Sequence, residues 1–255
     1  MTSFDAKAVA ARALPLIDLT DLGEAATEAG ARDLCRRAVT PHGRVAAVCL
    51  WPRFVATAKA ALAGTGVGIA TVVNFPAGGE DTRAVEAETE RAIADGADEI
   101  DLVMPYRAFL AGRRGFAESQ IVRVRRVCAG RARLKVILET GEIADPAEIR
   151  AAADTALAAG ADFVKTSTGK VAVNATPEAA RLLLEAVRDV GRPAGVKVAG
   201  GIRTVAEAKT HLDLADRIMG PAWVNSDTFR FGASGLLGDV LATLDGTATA
   251  APAGY

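Results

Sequence analysis

Two near-identical tetrapeptides, Asp95-Gly96-Ala97-Asp98 and Ala159-Gly160-Ala161-Asp162, constrain the fold of this chain more than any other feature. Each follows a helical pattern and precedes a short β-prone run. Glycine at that point suits a left-handed helix end and a tight turn into a strand. The two glycines lie 64 residues apart, and the 255-residue chain holds eight units of half that length. β-prone runs fall at 14–20, 44–51, 68–76, 99–105, 134–140, 163–167 and 195–200, with a short last strand expected at 217–220. Helical patterns fill the gaps at 4–13, 24–39, 54–62, 82–95, 115–129, 146–159, 177–190, 204–212 and 234–244. Pro146 and Pro177 suit first helical positions, and Thr176 suits a cap.

Strict alternation at this length predicts an α/β fold, a single (β/α)8 TIM barrel with a short N-terminal helix and a flexible C-terminal tail. Residues 1–245 are expected to form the catalytic domain and 246–255 the tail. A doubly wound open sheet is the runner-up, lowered because no G-x-G-x-x-G follows the first strand.

Composition removes several function classes. The net charge of −1 argues against a nucleic-acid binder that relies on a basic surface. No apolar run reaches the ~18–20 residues of a membrane span. The N-terminal stretch, with Asp5, Lys7 and Arg12, lacks the apolar core of a signal peptide. Cys35, Cys49 and Cys128 are far apart, which suits free thiols in a cytoplasmic protein. His42 and His211 share no spacing with other ligand types, so a zinc or histidine-based catalytic site is not expected. No cofactor is expected.

The cations carry the chemistry. Of 30 basic residues only seven are lysines, and Lys165, Lys170 and Lys197 fall in two short motifs. Arginine can replace lysine on a solvated face but cannot shed its proton to form an imine. On a strand, alternation points Phe163, Lys165 and Ser167 one way, and turns Lys197 and Asp101 inward from their Val and Ile/Leu neighbours. Other polar residues near strand ends are Asp18, Asn74 and Glu139. Lys135 also lies in an apolar run, with no evident role. Mutual repulsion and burial are expected to lower both Lys165 and Lys197 toward ~7–8, where a neutral amine attacks a carbonyl. Asp101 would hold and shuttle protons, and Asp18 would keep Lys197 charged or orient it. The bland alternative for Lys197 and Asp101 is a structural ion pair.

Late glycine turns supply an anion site. Gly169-Lys170, Gly200-Gly201 with Arg203, and Gly232-Ala233-Ser234-Gly235 before the last helix are expected to converge on one quadrant of the barrel. Cys49, at a strand end, is expected to line the pocket, or else to be a small buried hydrophobe.

F-V-K-T-S-T-G-K, G-V-K-V-A-G-G-I-R, E-I-D-L-V and F-R-F-G-A-S-G, in this order, resemble the deoxyribose-phosphate aldolase family, as does the opening L-I-D-L-T. The resemblance covers nearly the whole chain. It implies reversible cleavage of 2-deoxy-D-ribose 5-phosphate to D-glyceraldehyde 3-phosphate and acetaldehyde, without metal. It assigns Lys165 to the Schiff base, and Lys197 and Asp101 to proton transfer. Thr168, Gly169, Lys170, Gly200, Gly201, Arg203, Gly232 and Ser234 fall to the phosphate side. It also implies that the terminal Tyr255 folds over the site, where the bland reading is a disordered end. Leu19 stands where many members carry histidine, and Gly235 where serine is frequent. A homo-oligomer, in the first instance a dimer, is expected. A transaldolase-like enzyme, a pyridoxal-phosphate enzyme and a non-catalytic sugar-phosphate-binding barrel remain the alternatives.

Overall fold

The computed structural model describes residues 5–247, so Tyr255 and the expected tail beyond residue 247 lie outside the described residues. The first half contains α1 (Ala6–Ala13), β1 (Ile17–Asp21), α2 (Glu28–Arg37), β2 (Val39–Thr40), β3 (Gly43–Arg44), β4 (Ala47–Leu50), α3 (Val55–Ala61), β5 (Gly68–Val73), α4 (Thr82–Ala94) and β6 (Glu99–Val103). The second contains α5 (Tyr106–Leu110), α6 (Arg114–Cys128), β7 (Arg133–Ile137), α7 (Pro146–Ala158), β8 (Phe163–Lys165), α8 (Pro177–Asp189), β9 (Gly195–Ala199), α9 (Val205–Met219), β10 (Phe229–Ala233) and α10 (Leu236–Asp245). Eight parallel strands close a barrel in the order β1-β10-β9-β8-β7-β6-β5-β4, while β2 and β3 form a small hairpin. The predicted (β/α)8 barrel is the fold.

The repeated tetrapeptide has a structural reason. Gly96 and Gly160 take positive φ just past α4 and α7. The aspartate two residues on then clamps the neighbouring strand. Asp98 accepts from the Ile69 N–H at 3.0 Å, and Asp162 accepts from the Leu134 N–H at 2.8 Å. One device thus starts two strands in register.

Strand faces divide as alternation requires. Outward residues such as Val48, Ile100, Leu102, Val136, Val164, Val196 and Val198 are buried against the helix layer. The helices bury matching stripes: α8, capped by Thr176 with Pro177 in its first turn, buries Ala180, Leu183, Leu184 and Val187. The barrel interior is unequal. Around β4 and β5 it is filled by a small apolar cluster of Leu22, Ala47, Cys49, Ala70 and Val72. From β6 round to β1 it holds ionisable side chains instead.

One element was misplaced by the sequence reading. Residues 217–219 are the last turn of α9, which ends at Gly220 with φ of 85°. The eighth strand is β10, built on F-R-F-G-A. Ile218 and Met219 continue the helical stripe of Ala208, Leu212 and Ala215, a longer period than the four-residue window revealed. The first strand begins at Ile17 rather than residue 14, because Leu14–Leu16 form a single 3-10 turn around Pro15.

Candidate active site

Lys165 ends β8 and Lys197 sits at the centre of β9, directly paired with it in register. Asp101 occupies the centre of β6 and Asp18 the second position of β1. All four point into the barrel. The Lys165 Nζ donates to Asp101 Oδ2 at 2.7 Å, and the Lys197 Nζ donates to the same oxygen at 2.8 Å. Lys197 also pairs with Asp18 Oδ2 at 2.6 Å. Gly232 makes room for this arrangement, since a Cβ there would stand 3.0 Å from the Lys197 Cε and 2.8 Å from the Ala199 Cβ.

The electrostatics separate the two lysines. Burial pushes the Lys165 amine below the ordinary lysine value; contact with Asp101 only partly offsets this, and the Lys197 ammonium adds to it. At Lys197 burial acts in the same direction, but Asp101 and Asp18 outweigh it and hold the ammonium well above the usual range. The expectation that both amines are depressed is corrected: at Lys197 the two carboxylates outweigh burial. Burial opposes the charge of Asp101 too, yet Lys135, Lys165 and Lys197 together hold its carboxyl well below the usual carboxylate range. The outcome is one amine of lowered proton affinity beside an ion pair held charged.

The predicted anion-side residues converge. Lys165, Thr168, Gly169, Lys170, Gly200, Gly201, Arg203, Gly232 and Ser234 line one cavity of about 460 Å³ at the C-terminal mouth of the barrel. Gly169, Gly200 and Gly201 all take positive φ, which turns their backbone without side-chain cost. At Gly200 a Cβ would also meet the Asn174 Cβ at 2.6 Å. Among the described residues, α10 opens at Gly235 without a side-chain cap, whereas α8 and α9 are capped by Thr176 and Thr204. The first N–H groups of α10, next to Ser234, are therefore free for an anion. Lys170 spans the mouth, its Nζ donating to the Leu22 carbonyl at 2.8 Å. Beneath the loop, Glu139 takes a left-handed conformation, and its carboxylate accepts from the Thr168 N–H and Oγ1–H.

Not every candidate reaches the cavity. Cys49 is fully buried in the apolar half of the barrel and does not line it, and burial pushes its thiol pKa up. Asn74 binds the Gly79 and Val103 carbonyls and so braces the loop after β5. Sequence reasoning missed Thr20, Asp21, Leu22 and Asn174 among the lining residues. It also missed Glu99 and Arg230, and assigned Lys135 nothing, although all three join the buried ion network. The signal was available: an ionisable residue flanked by apolar ones recurs in L-K-V and F-R-F as it does in V-K-V. Among the described residues, no group of three or more His, Cys, Asp or Glu side chains could hold a metal ion, and no helix is long and apolar enough to cross a membrane.

A buried lysine with a depressed amine, at the mouth of a (β/α)8 barrel and beside an anion-ready cavity, defines an aldolase of the lysine-dependent class. The chain belongs to the DeoC/LacD family of aldolases, whose family model matches residues 12–234. It is 56% identical over 248 residues to the deoxyribose-phosphate aldolase of Agrobacterium fabrum, covering 96% of each chain. Its fold matches that of a protein assigned as a deoxyribose-phosphate aldolase in Coccidioides immitis, with a TM-score of 0.79 at 33% identity over 91% of this chain and 87% of the other. A deoxyribose phosphate aldolase from Aeropyrum pernix, described as tetrameric, matches with a TM-score of 0.73 at 26% identity over 94% and 91% of the two chains.

Proposed function

We propose that this chain cleaves 2-deoxy-D-ribose 5-phosphate reversibly to D-glyceraldehyde 3-phosphate and acetaldehyde through an imine on Lys165. The observation that carries the reading is the split between the two lysines: Lys165 is depressed and opens on the cavity, while Lys197 is held charged beneath it. The neutral amine attacks C1 of the open-chain aldehyde, and loss of water leaves an iminium. Removal of the proton from the C3 hydroxyl breaks the C2–C3 bond and releases glyceraldehyde 3-phosphate. The electron pair passes into the iminium to give an enamine. Protonation at C2 and hydrolysis then free acetaldehyde and restore the amine.

In this reading Lys197 is the proton donor and Asp101 the anion that accompanies the iminium charge, with Asp18 orienting Lys197. Thr168, Gly169, Lys170, Gly200, Gly201, Arg203, Gly232 and Ser234 receive the phosphate. Tyr255 assists at the C2 proton, and a chain lacking it should turn over more slowly. Cytoplasmic residence and a homodimer complete the proposal; sedimentation equilibrium distinguishes a dimer from the tetramer described for the Aeropyrum pernix protein.

Borohydride reduction in the presence of acetaldehyde, followed by peptide mass mapping, tests the central step. A two-carbon adduct is expected on Lys165. Lys165→Arg should fold as the parent does and show no turnover, because a guanidinium cannot form the imine. An adduct on Lys197 alone would reverse the two roles.

A further inference from the structure

Below the two lysines of the site lies a second tier that the reaction does not touch. Four consecutive barrel strands each send one cation inward: Lys135 from β7, Lys165 from β8, Lys197 from β9 and Arg230 from β10. The strands on either side supply the carboxylates, Glu99 and Asp101 from β6 and Asp18 from β1. All seven are buried. Lys135 joins the tiers: its Nζ contacts Asp101 Oδ1 at 2.9 Å, Asp18 Oδ2 at 3.5 Å, and Glu99. Arg230 bridges Asp18 and Glu99, approaching Glu99 Oε1 at 2.9 Å. Asp101 is thus gripped through Oδ1 from below, and its Oδ2 is left to Lys165 and Lys197.

The count of partners ranks the cations. Lys135 touches three carboxylates, Lys197 two and Lys165 one. Four buried cations face three buried carboxylates; half-buried Arg133, also on β7, reaches Glu99 at 3.7 Å but is paired outside the set with Asp227. One surplus positive charge is therefore buried, and burial of an unbalanced charge is costly. Arginine does not release its proton. The surplus therefore falls on the amine held by the fewest carboxylates. We propose that Lys135, with Glu99 and Arg230, is a positioning group that locks Asp101 through Oδ1 and sets the buried charge count so that Lys165 is the amine that sheds its proton.

This proposal rests on the imine reading of Lys165, and it makes a counterintuitive statement: removing one buried lysine should raise the proton affinity of another. The groups facing Lys165 are Asp101 from β6, Lys197 from β9, Cys49 from β4 and Glu139 two residues past β7; Lys135 faces Asp18, Glu99, Asp101 and Lys197. Of these, Lys135 and Glu99 touch neither the cavity nor Lys165, so changing them alters the count without replacing a residue that has a role in the reaction.

The test is the pH dependence of borohydride trapping at Lys165 with acetaldehyde. In Lys135→Met three cations balance three carboxylates. The acidic limb is expected to move up by about one pH unit, and trapping on that limb to fall about tenfold. In Glu99→Gln the surplus grows and the limb should move down. Lys135→Arg, which keeps the charge, should return it toward the parent position. Limbs that coincide with the parent in the charge-changing variants, or that move together in one direction, overturn the proposal. If Lys135→Met fails to fold, Glu99→Gln decides alone: a downward limb supports the proposal and an unmoved one overturns it. A parent enzyme that forms no adduct on Lys165 would instead overturn the imine reading itself.

Discussion

Thr168 shows how one side chain ties a buried carboxylate to the loop after β8. Its hydroxyl donates to Glu139 at 2.5 Å and accepts from the Lys170 N–H at 3.0 Å. The buried carboxylate of Glu139 therefore holds the turn that carries Gly169 and Lys170 to the cavity. A hydrogen bond to a charged group contributes about 1.5–3 kcal/mol. Thr168→Val is expected to raise KM for the phosphorylated substrate about tenfold or more while kcat changes less, as steady-state kinetics will show. Equal loss in kcat with KM unchanged would mean that the loop serves chemistry rather than binding. At this scale the sequence was legible wherever alternation exposed a misfit: Lys165, Lys197 and Asp101 stand out because a charge interrupts an apolar run. It was not legible where a role depends on distant partners. Arg230 meets Asp18 across 212 positions of chain, and Lys135 meets Asp101 across 34.

The strands and helices impose a second set of constraints, visible where side-chain space runs out. The interior of β8 places the Phe163 ring against β9, whose first residue is Gly195; a Cβ there would stand 2.4 Å from the ring. Gly195→Ala should force the ring aside and cost about 1–3 kcal/mol, read as a lower urea midpoint. An unchanged midpoint would show that the ring has room to turn. The misplaced eighth strand belongs to the same scale. The four residues Arg217-Ile218-Met219-Gly220 fit a strand or a helix end equally, and only the longer stripe through α9 decides between them. F-R-F-G-A was legible as a motif but not as a strand, because Arg230 is satisfied only once Asp18 and Glu99 are brought beside it.

For the whole molecule, the buried ion network ties stability to pH. Burial works against the charges of Asp18 and Asp101, but the surrounding cations hold both carboxyls below the ordinary value. The unfolded chain therefore binds more protons than the native barrel across the ordinary carboxylate range, and stability falls as pH drops through it. The urea midpoint should decrease steadily from about pH 5 toward pH 3; a midpoint flat across that range would mean that the network does not contribute to folding. The sequence by itself determined the barrel, through a near-regular strand–helix alternation and a repeated turn that starts two strands. It also brought Lys165, Lys197 and Asp101 forward as candidates, because a charge on a buried strand face is a local misfit that needs no partner to be seen. Only the tertiary structure decided which of two buried lysines is depressed. That depends on how many carboxylates each meets, and carboxylates from β1 and β6 reach lysines on β7 to β9 only after the barrel has closed.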